Sequence, residues 1–305
     1  MPFCVPPGTA IGGCQPMASA ANGARIAGMT DTTTTALLDH AADLIRQADS
    51  LIVAAGAGIG VDSGLPDFRG NEGFWRAYPA LGAARIAFTT AASPATFREN
   101  PKLAWGFYGH RLNLYRDTVP HNGFALLKSW GEQMPHGYHV FTSNVDGQFQ
   151  KAGFDAGRVH ECHGSIHHLQ CLAPCSDAIW EAKEFTPEVD AEKCRLTNEP
   201  PRCPHCGGLA RPNILMFGDW GWVEKRSARQ AERLERWLDK VEHPVVVELG
   251  AGTAIPSVRL FSQEVIRHSG RLVRINPREP DVPTRNDVGL AAGALDGLAA
   301  IAARL

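Results

Sequence analysis

Ser50-Leu-Ile-Val-Ala-Ala55-Gly56-Ala57-Gly58-Ile59-Gly60 is the stretch that decides the fold. Its first six residues are a short, continuous apolar run. Such a run suits a strand covered on both faces, as in a parallel sheet. The run ends in a glycine-rich turn. Glycines there permit tight turning and let backbone N–H groups approach a pyrophosphate, although a plain strand–loop turn also uses them. The dinucleotide fingerprint of the dehydrogenases needs its third glycine at position 61, where Val61 stands. That failed spacing disfavours a nicotinamide dehydrogenase.

Outward from this stretch, strands and helices alternate. A helix fits 34–48, with Leu37, Leu38, Ala41, Leu44 and Ile45 on one face at helical spacing. Further strands are expected at 138–142, 244–249 and 271–275. Helices are expected at 224–241, 257–268 and 290–304. In 224–241, Ala228, Ala231, Leu234, Leu238 and Val241 form one apolar stripe. This alternation argues for an α/β chain with a doubly wound parallel sheet. Residues 166 to 210 break the rhythm with Cys, Pro, Lys and Glu and no long apolar element. They read as an inserted small module.

Composition sets the outer limits. The 305 residues are 44% apolar and 20% charged, enough for a sizeable core and against wholesale disorder. Thirty Lys and Arg against 32 Asp and Glu leave no basic excess, so direct nucleic-acid binding is not expected. No charge-free apolar run approaches the roughly 20 residues that cross a bilayer, so no membrane partner is expected. Residues 1–24 carry no charge and lack the basic start of a secretion signal. Residues 1–30 read as a mobile tail, and Met29 is a candidate start.

Eight cysteines in a chain this long do not make a secreted disulfide scaffold. Four fall in two close pairs, Cys171-x3-Cys175 and Cys203-Pro-His-Cys206, separated by 27 residues. Thiolates at such spacing suit tetrahedral zinc, and a closed four-sulfur shell makes the site structural. Cys194 lies between the pairs and is an alternative ligand; His205 is a weaker one. The pattern points to a reducing compartment, and a cytoplasmic location is expected.

After the glycine turn comes Ser63-Gly-Leu-Pro66-Asp67-Phe68-Arg69-Gly. Proline prevents a standard Rossmann helix from starting normally. From Gly56 to Arg69 the chain resembles the sirtuins, whose signature runs Gly-Ala-Gly-Ile-Ser-x-x-Ser-Gly-Ile-Pro-Asp-Phe-Arg. Gly60 replaces the Ser and Leu65 the Ile. The resemblance continues in Thr142-Ser143-Asn144-Val-Asp146, against the family's Thr-Gln-Asn-Ile-Asp-x-Leu-His-x-x-Ala-Gly, with Ala152 and Gly153 matching its end. Here Ser143 replaces Gln, Gln148 replaces Leu, and Phe149 replaces His. Val159-His-Glu-Cys-His163-Gly164-Ser165 matches the catalytic His-Gly of the family. His160, His167 and His168 are competitors, but only His163 precedes Gly-Ser. Gly250-Ala-Gly252-Thr253-Ala254 resembles the second nucleotide loop, Gly-Thr-Ser, and Asn276 the Asn near the adenosine ribose. Arg211-Pro212 through Phe217-Gly218-Asp219 resembles the segment that offers its backbone to a substrate peptide. The likeness covers roughly residues 35–305 in the right motif order.

The resemblance implies an NAD-binding Rossmann-like domain over 31–78, 121–165 and 211–305, a helical insert over 79–120 and a zinc module over 166–210. It implies NAD and zinc as cofactors, acyl-lysine proteins or peptides as partners, and an NAD-dependent lysine deacylase. The acyl oxygen would attack C1′ of the nicotinamide ribose; nicotinamide leaves, and free lysine and O-acyl-ADP-ribose result. His163 would be the general base, a role for which imidazole is suited near pH 7. Asn144 and Asp146 would hold the ribose and nicotinamide region. Gly56, Ala57, Gly58, Asp67, Phe68, Arg69, Ser143, Gly252, Thr253 and Asn276 would bind the dinucleotide, and Phe217 and Gly218 the peptide. Tyr108-Gly-His-Arg111 carries the Tyr-x-x-Arg marker of members that accept acidic acyl groups such as succinyl and malonyl. At i and i+3 a phenol and a guanidinium share one helix face, and Arg holds a carboxylate bidentately; a surface Arg beside a packed Tyr is the alternative. An NAD glycohydrolase, an ADP-ribosyltransferase or a non-catalytic NAD sensor remain rival readings of the same scaffold.

Overall fold

A computed structural model of the chain describes residues 31–66 and 70–305. The expected tail 1–30, with Met29, and the motif residues Asp67, Phe68 and Arg69 lie outside the described residues. Helix α1 (Asp31–Gln47) leads into β1 (Ser50–Ala55), and a 3-10 turn over Ala57–Ser63 follows. Then come α2 (Gly70–Ala77), α3 (Pro79–Ala83), α4 (Phe88–Ala91), α5 (Pro94–Glu99), α6 (Pro101–Asp117) and α7 (Gly123–Gln133). After β2 (Tyr138–Thr142), α8 (Gln148–Lys151) and β3 (Val159–Glu161), the cysteine-bearing part holds β4 (Gly164–Cys171), β5 (Ile179–Glu181), β6 (Val189–Asp190), β7 (Arg195–Leu196) and β8 (Ala210–Ile214). The chain continues through α9 (Lys225–Leu238), β9 (Pro244–Leu249), α10 (Ser257–His268), β10 (Arg271–Ile275), β11 (Val288–Leu290) and α11 (Ala294–Ala302).

The main sheet has the order β11-β10-β9-β1-β2-β3, with every pairing parallel. β1 lies in the middle, and Val53 sits between Val140 of β2 and Val247 of β9. Both faces of β1 are covered, which is why its sequence is apolar without alternation. Leu51, Val53 and Ala55 pack in a cluster with Leu38 and Ile45 of α1, Leu127 of α7 and Leu298 of α11. Ile52 and Ala54 pack in a second cluster with Leu234 of α9 and Val258 and Val265 of α10. The order reverses at β1: from there the chain runs outward to β2 and β3, then returns to β9 on the other side. In such sheets ligands bind at the carboxyl ends of the strands flanking the reversal.

Two sequence expectations are corrected. The helix expected at 290–304 begins only at Ala294, because Val288-Gly-Leu290 forms the edge strand β11. Three residues are too few for a strand period to register. In α9 the expected stripe holds at Leu234, which is buried, and at Leu238, which packs against the same cluster, but its first turn differs: Ala228 is exposed, whereas Ser227 and Gln230 are buried. Gln230 Oε1 accepts from the Glu161 backbone N–H, and Ser227 Oγ donates to the Glu161 carbonyl. Polar groups on α9 thus serve the backbone around the end of β3, and they take the buried place expected of Ala228.

A third cluster joins α2–α6 to the cysteine-bearing part. Phe74, Phe97, Trp105 and Phe107 pack there with Leu169 and Cys194. A Cβ on Gly106 would overlap the carbonyl of Cys194, so α6 approaches that chain at backbone distance.

Candidate active site

The two glycine loops meet at the carboxyl ends of β1 and β9. Gly56 N–H donates to Leu249 O at 2.9 Å and Gly58 N–H to Gly250 O at 3.1 Å. A Cβ on Gly56 would lie 2.8 Å from Gly250 O, and one on Gly58 would lie 2.6 Å from Gly250 Cα. Glycine is therefore required here by contact between the loops themselves. Gly250 takes φ +60, a conformation that side chains with a Cβ resist. The missing third glycine is explained too: the loop enters a 3-10 turn, and Val61 is exposed, so no close packing needs a glycine there.

The second loop is braced from behind. Asn276 Nδ2 donates to Ala251 O at 2.9 Å, and its Oδ1 accepts from the N–H groups of Arg278 and Glu279. Both polar ends of Asn276 are thus bonded to the main chain. Gly252 is half-buried and Thr253 exposed; Thr253 N–H donates to Glu279 Oε2 at 3.0 Å.

Beyond β2, Ser143 N–H donates to Ala55 O at 3.1 Å, and Asn144 Nδ2 donates to Gly56 O at 3.1 Å. Asn144 therefore ties this loop to the first glycine loop. Asp146 Oδ1 accepts from Gln148 N–H at 2.9 Å. Burial pushes the Asp146 carboxyl up to about 6, against the Gln148 bond and the nearby Arg111, which favour its charge. His163, between β3 and β4, is fully buried. Burial depresses its pKa to about 4, while a hydrogen bond to the Ser143 backbone works the other way. The ring is neutral at pH 7 and could accept a proton. Its Nε2 lies 3.3 Å from Ser257 Oγ. Ser257 is a neighbour that no sequence motif marked; it was visible only as the start of a helix. Of the competing histidines, His160 meets Ser227 and the Phe141 ring, and His167 Nε2 meets the Asp146 carbonyl at 2.8 Å. Phe149 faces the core, its ring centroid 5.0 Å from that of Phe124, which gives a packing reason for an aromatic ring there.

The sulfur atoms of Cys171, Cys175, Cys203 and Cys206 lie within 4.8 Å of one another. Cys171–Cys206 and Cys175–Cys203 are each 3.6 Å apart. A tetrahedron with Zn–S of about 2.3 Å has edges of about 3.8 Å, so these four fit zinc. Cys194 belongs to the α6 cluster and His205 is not in the sulfur group, so neither alternative ligand is used.

On α6, Tyr108 and Arg111 are both buried, at 1% and 2% exposure, which excludes the surface-Arg alternative. The guanidinium carbon is 5.4 Å from the ring centroids of Phe107, Tyr108 and Tyr115, and Nε and Nη2 donate to Tyr115 Oη at 3.2 and 3.0 Å. Among the described residues no carboxylate pairs with it. Arg211 and Asp219 form a fully buried bidentate pair, with Nη1–Oδ2 at 2.7 Å and Nη2–Oδ1 at 2.9 Å. Asp219 also accepts from Met216 and Gly221 N–H, which shapes the loop carrying Phe217 and Gly218.

The profile of the Sir2 family matches residues 56–243. An NAD-dependent protein deacylase of Aquifex aeolicus is 30% identical over 82% of this chain and 92% of its own length. One from Pyrococcus furiosus is 34% identical over 78% and 85%. A crystal structure of a Sir2 homolog–NAD complex shares the fold with a TM-score of 0.63 at 22% identity, covering 87% of this chain and 92% of that one. With family profile, relatives and fold in agreement, the chain belongs to the Sir2 family.

Proposed function

We propose that the chain is an NAD-dependent protein lysine deacylase that yields nicotinamide and O-acyl-ADP-ribose. The observation carrying this reading is the buried His163, whose Nε2 lies 3.3 Å from Ser257 Oγ at the start of α10, the helix that follows the second glycine loop. Bound NAD would supply an electrophilic ribose carbon with nicotinamide as leaving group. Gly56, Ala57, Gly58, Gly252 and Thr253 would border its phosphates, the glycines by letting the backbone come close, with Asn276 bracing the second loop. Asp67, Phe68 and Arg69 are assigned to the same dinucleotide on their motif alone. Asn144 and Asp146, with the Ser143 backbone, would border the ribose and nicotinamide region. His163 would accept a proton at Nε2 from a substrate hydroxyl, while its bond to Ser143 holds the ring. Enclosure keeps water from diverting a cation-like reacting centre.

An acyl-lysine peptide would lie along Phe217 and Gly218 as an added strand. Tyr108 and Arg111 would receive an acidic acyl group. A buried guanidinium whose hydrogen bonds go to a phenol, with no carboxylate within ion-pair distance among the described residues, supports this reading, because such a charge gains from a carboxylate. Zinc would hold the module together and do no chemistry. Reduced thiolates of this kind suit the cytoplasm, the setting we propose. No helix among the described residues is long and apolar enough to cross a membrane.

Mass spectrometry of NAD incubated with acetyl-lysine and succinyl-lysine peptides tests the reading. O-acyl-ADP-ribose formed only with peptide is expected. ADP-ribose formed without peptide would mean a glycohydrolase, ADP-ribose added to protein a transferase, and no turnover a sensor. His163→Ala should abolish product while NAD still binds.

A further inference from the structure

Gln148 opens α8, two residues after Asp146, and is 2% exposed. It stands where the sirtuin signature carries Leu. Leucine fits a similar volume without a polar atom to desolvate, whereas a buried amide costs free energy unless its groups are bonded. Gln148 Oε1 has no partner. What the amide gains lies at its other end, where Nε2 donates to the Tyr115 carbonyl at 3.1 Å.

Tyr115 lies in the last turn of α6, where a helix leaves carbonyls without intrahelical donors. Short α8 supplies donors to that end: Gln148 to the Tyr115 carbonyl, and Lys151 Nζ to those of Arg116 and Thr118. The same Tyr115 holds the guanidinium of Arg111, since its Oη accepts from Nε at 3.2 Å and from Nη2 at 3.0 Å. Toward the other side, Gln148 N–H donates to Asp146 Oδ1 at 2.9 Å, and the Asp146 carbonyl meets His167 Nε2 at 2.8 Å. Gly147 between them takes φ +70, and a Cβ there would lie 2.7 Å from the His167 ring. One residue, Gln148, thus joins the Asp146 turn to the side chain that holds Arg111.

We propose that Gln148 is a positioning residue for the choice of acyl group. It fixes the end of α6 against the Asp146 turn, so that Arg111 meets an acyl carboxylate while the acyl oxygen faces the ribose held beside Asp146. This rests on the reading of Tyr108 and Arg111 as the acyl pocket. Charge-assisted bonds to a carboxylate depend on geometry. An acetyl group has no carboxylate to align, so a small shift of α6 matters little to it.

Steady-state kinetics of the full zinc-loaded chain on paired succinyl- and acetyl-lysine peptides test this, with Gln148→Leu, Arg111→Met and the double variant beside the unchanged chain. Gln148→Leu should melt close to the unchanged chain, because it loses one hydrogen bond and one orphaned oxygen together. Its kcat/KM for the succinyl peptide should fall about tenfold, about 1.4 kcal/mol, mainly through KM, and the acetyl value by less than about twofold. Gln148→Met, unbranched like glutamine and unable to donate, should show the same split. In the double variant Gln148→Leu should add nothing to the loss at Arg111→Met, since no guanidinium is left to position. An equal change for both peptides, or losses that add in the double variant, would overturn the proposal and leave Gln148 as packing alone. If Arg111→Met itself does not separate the two peptides, the acyl reading falls and this proposal with it.

Discussion

Arg111 is the residue whose environment says most about substrate choice. A guanidinium with 2% exposure and no acid partner among the described residues is costly unless something compensates it. Tyr115 and three ring faces do so in part. If an acyl carboxylate completes the compensation, Arg111→Met should remove desuccinylation and largely spare deacetylation. Loss of a charged, hydrogen-bonded partner costs about 2–5 kcal/mol, so kcat/KM for a succinyl peptide should fall roughly 30- to 3,000-fold. Steady-state kinetics on paired acetyl and succinyl peptides measure this; an equal, small change in both would show that Arg111 only packs. At the residue level the sequence pointed to Tyr108 and Arg111 through the family's Tyr-x-x-Arg marker, and i, i+3 spacing agrees with a shared helix face. It could not find Ser257, whose place beside His163 depends on two loops about a hundred positions apart.

Among the elements, the two glycine loops form one unit. A Cβ at Gly58 would lie 2.6 Å from the Gly250 backbone, which has no flexible end to move aside. Gly58→Ala should therefore destabilise the protein by about 1–3 kcal/mol, as overpacking does, and weaken NAD binding as the crevice is forced apart. Thermal unfolding and an NAD titration together check it; unchanged values in both would mean that the loops are not rigidly apposed. The cysteine quartet makes a similar claim for its module. About one zinc per chain is expected by elemental analysis, and Cys203→Ser should lower the melting temperature, since loss of a ligand removes folding free energy. Folded protein free of zinc would contradict this. Legibility differed between these elements. The strands at 138–142, 244–249 and 271–275 stand where their apolar runs predicted. In α9 Leu234 is buried as its stripe predicted, but Ala228 is exposed, because Ser227 and Gln230 are needed by the neighbouring strand.

For the molecule as a whole, the buried histidines dictate a response to acid. Burial depresses His139, His160 and His163 to about 4 and His168 to about 3. A depressed folded-state pKa means that the unfolded chain binds more protons, so stability is full above about 6.5 and is lost as pH falls toward 4. Each of the four contributes a loss on the order of 1 kcal/mol by pH 5.5. Asp146, raised to about 6, acts in the opposite direction: the folded state holds its proton more tightly and gains stability as pH falls through 6. Four against one leaves a net loss. The denaturant midpoint at pH 5.5 should lie clearly below that at pH 7.5, and a flat or rising midpoint would mean that these rings are hydrated.

The sequence by itself determined the class of the fold, the central strand, the order of the motifs and the cysteine quartet. These depend on local chemistry: runs of apolar residues, glycine spacing and thiol spacing survive in one dimension. The short edge strand β11, the burial of Ser227 and Gln230 in α9, the exclusion of Cys194 from the sulfur group and the neutrality of His163 were decided only in the tertiary structure. Each depends on burial and on partners distant along the chain. Cys194 packs against Gly106 of α6, and His163 loses its charge because the packed sheet excludes water from its ring. Spacing along the chain carries no measure of desolvation, and desolvation is what separates these groups from their sequence neighbours.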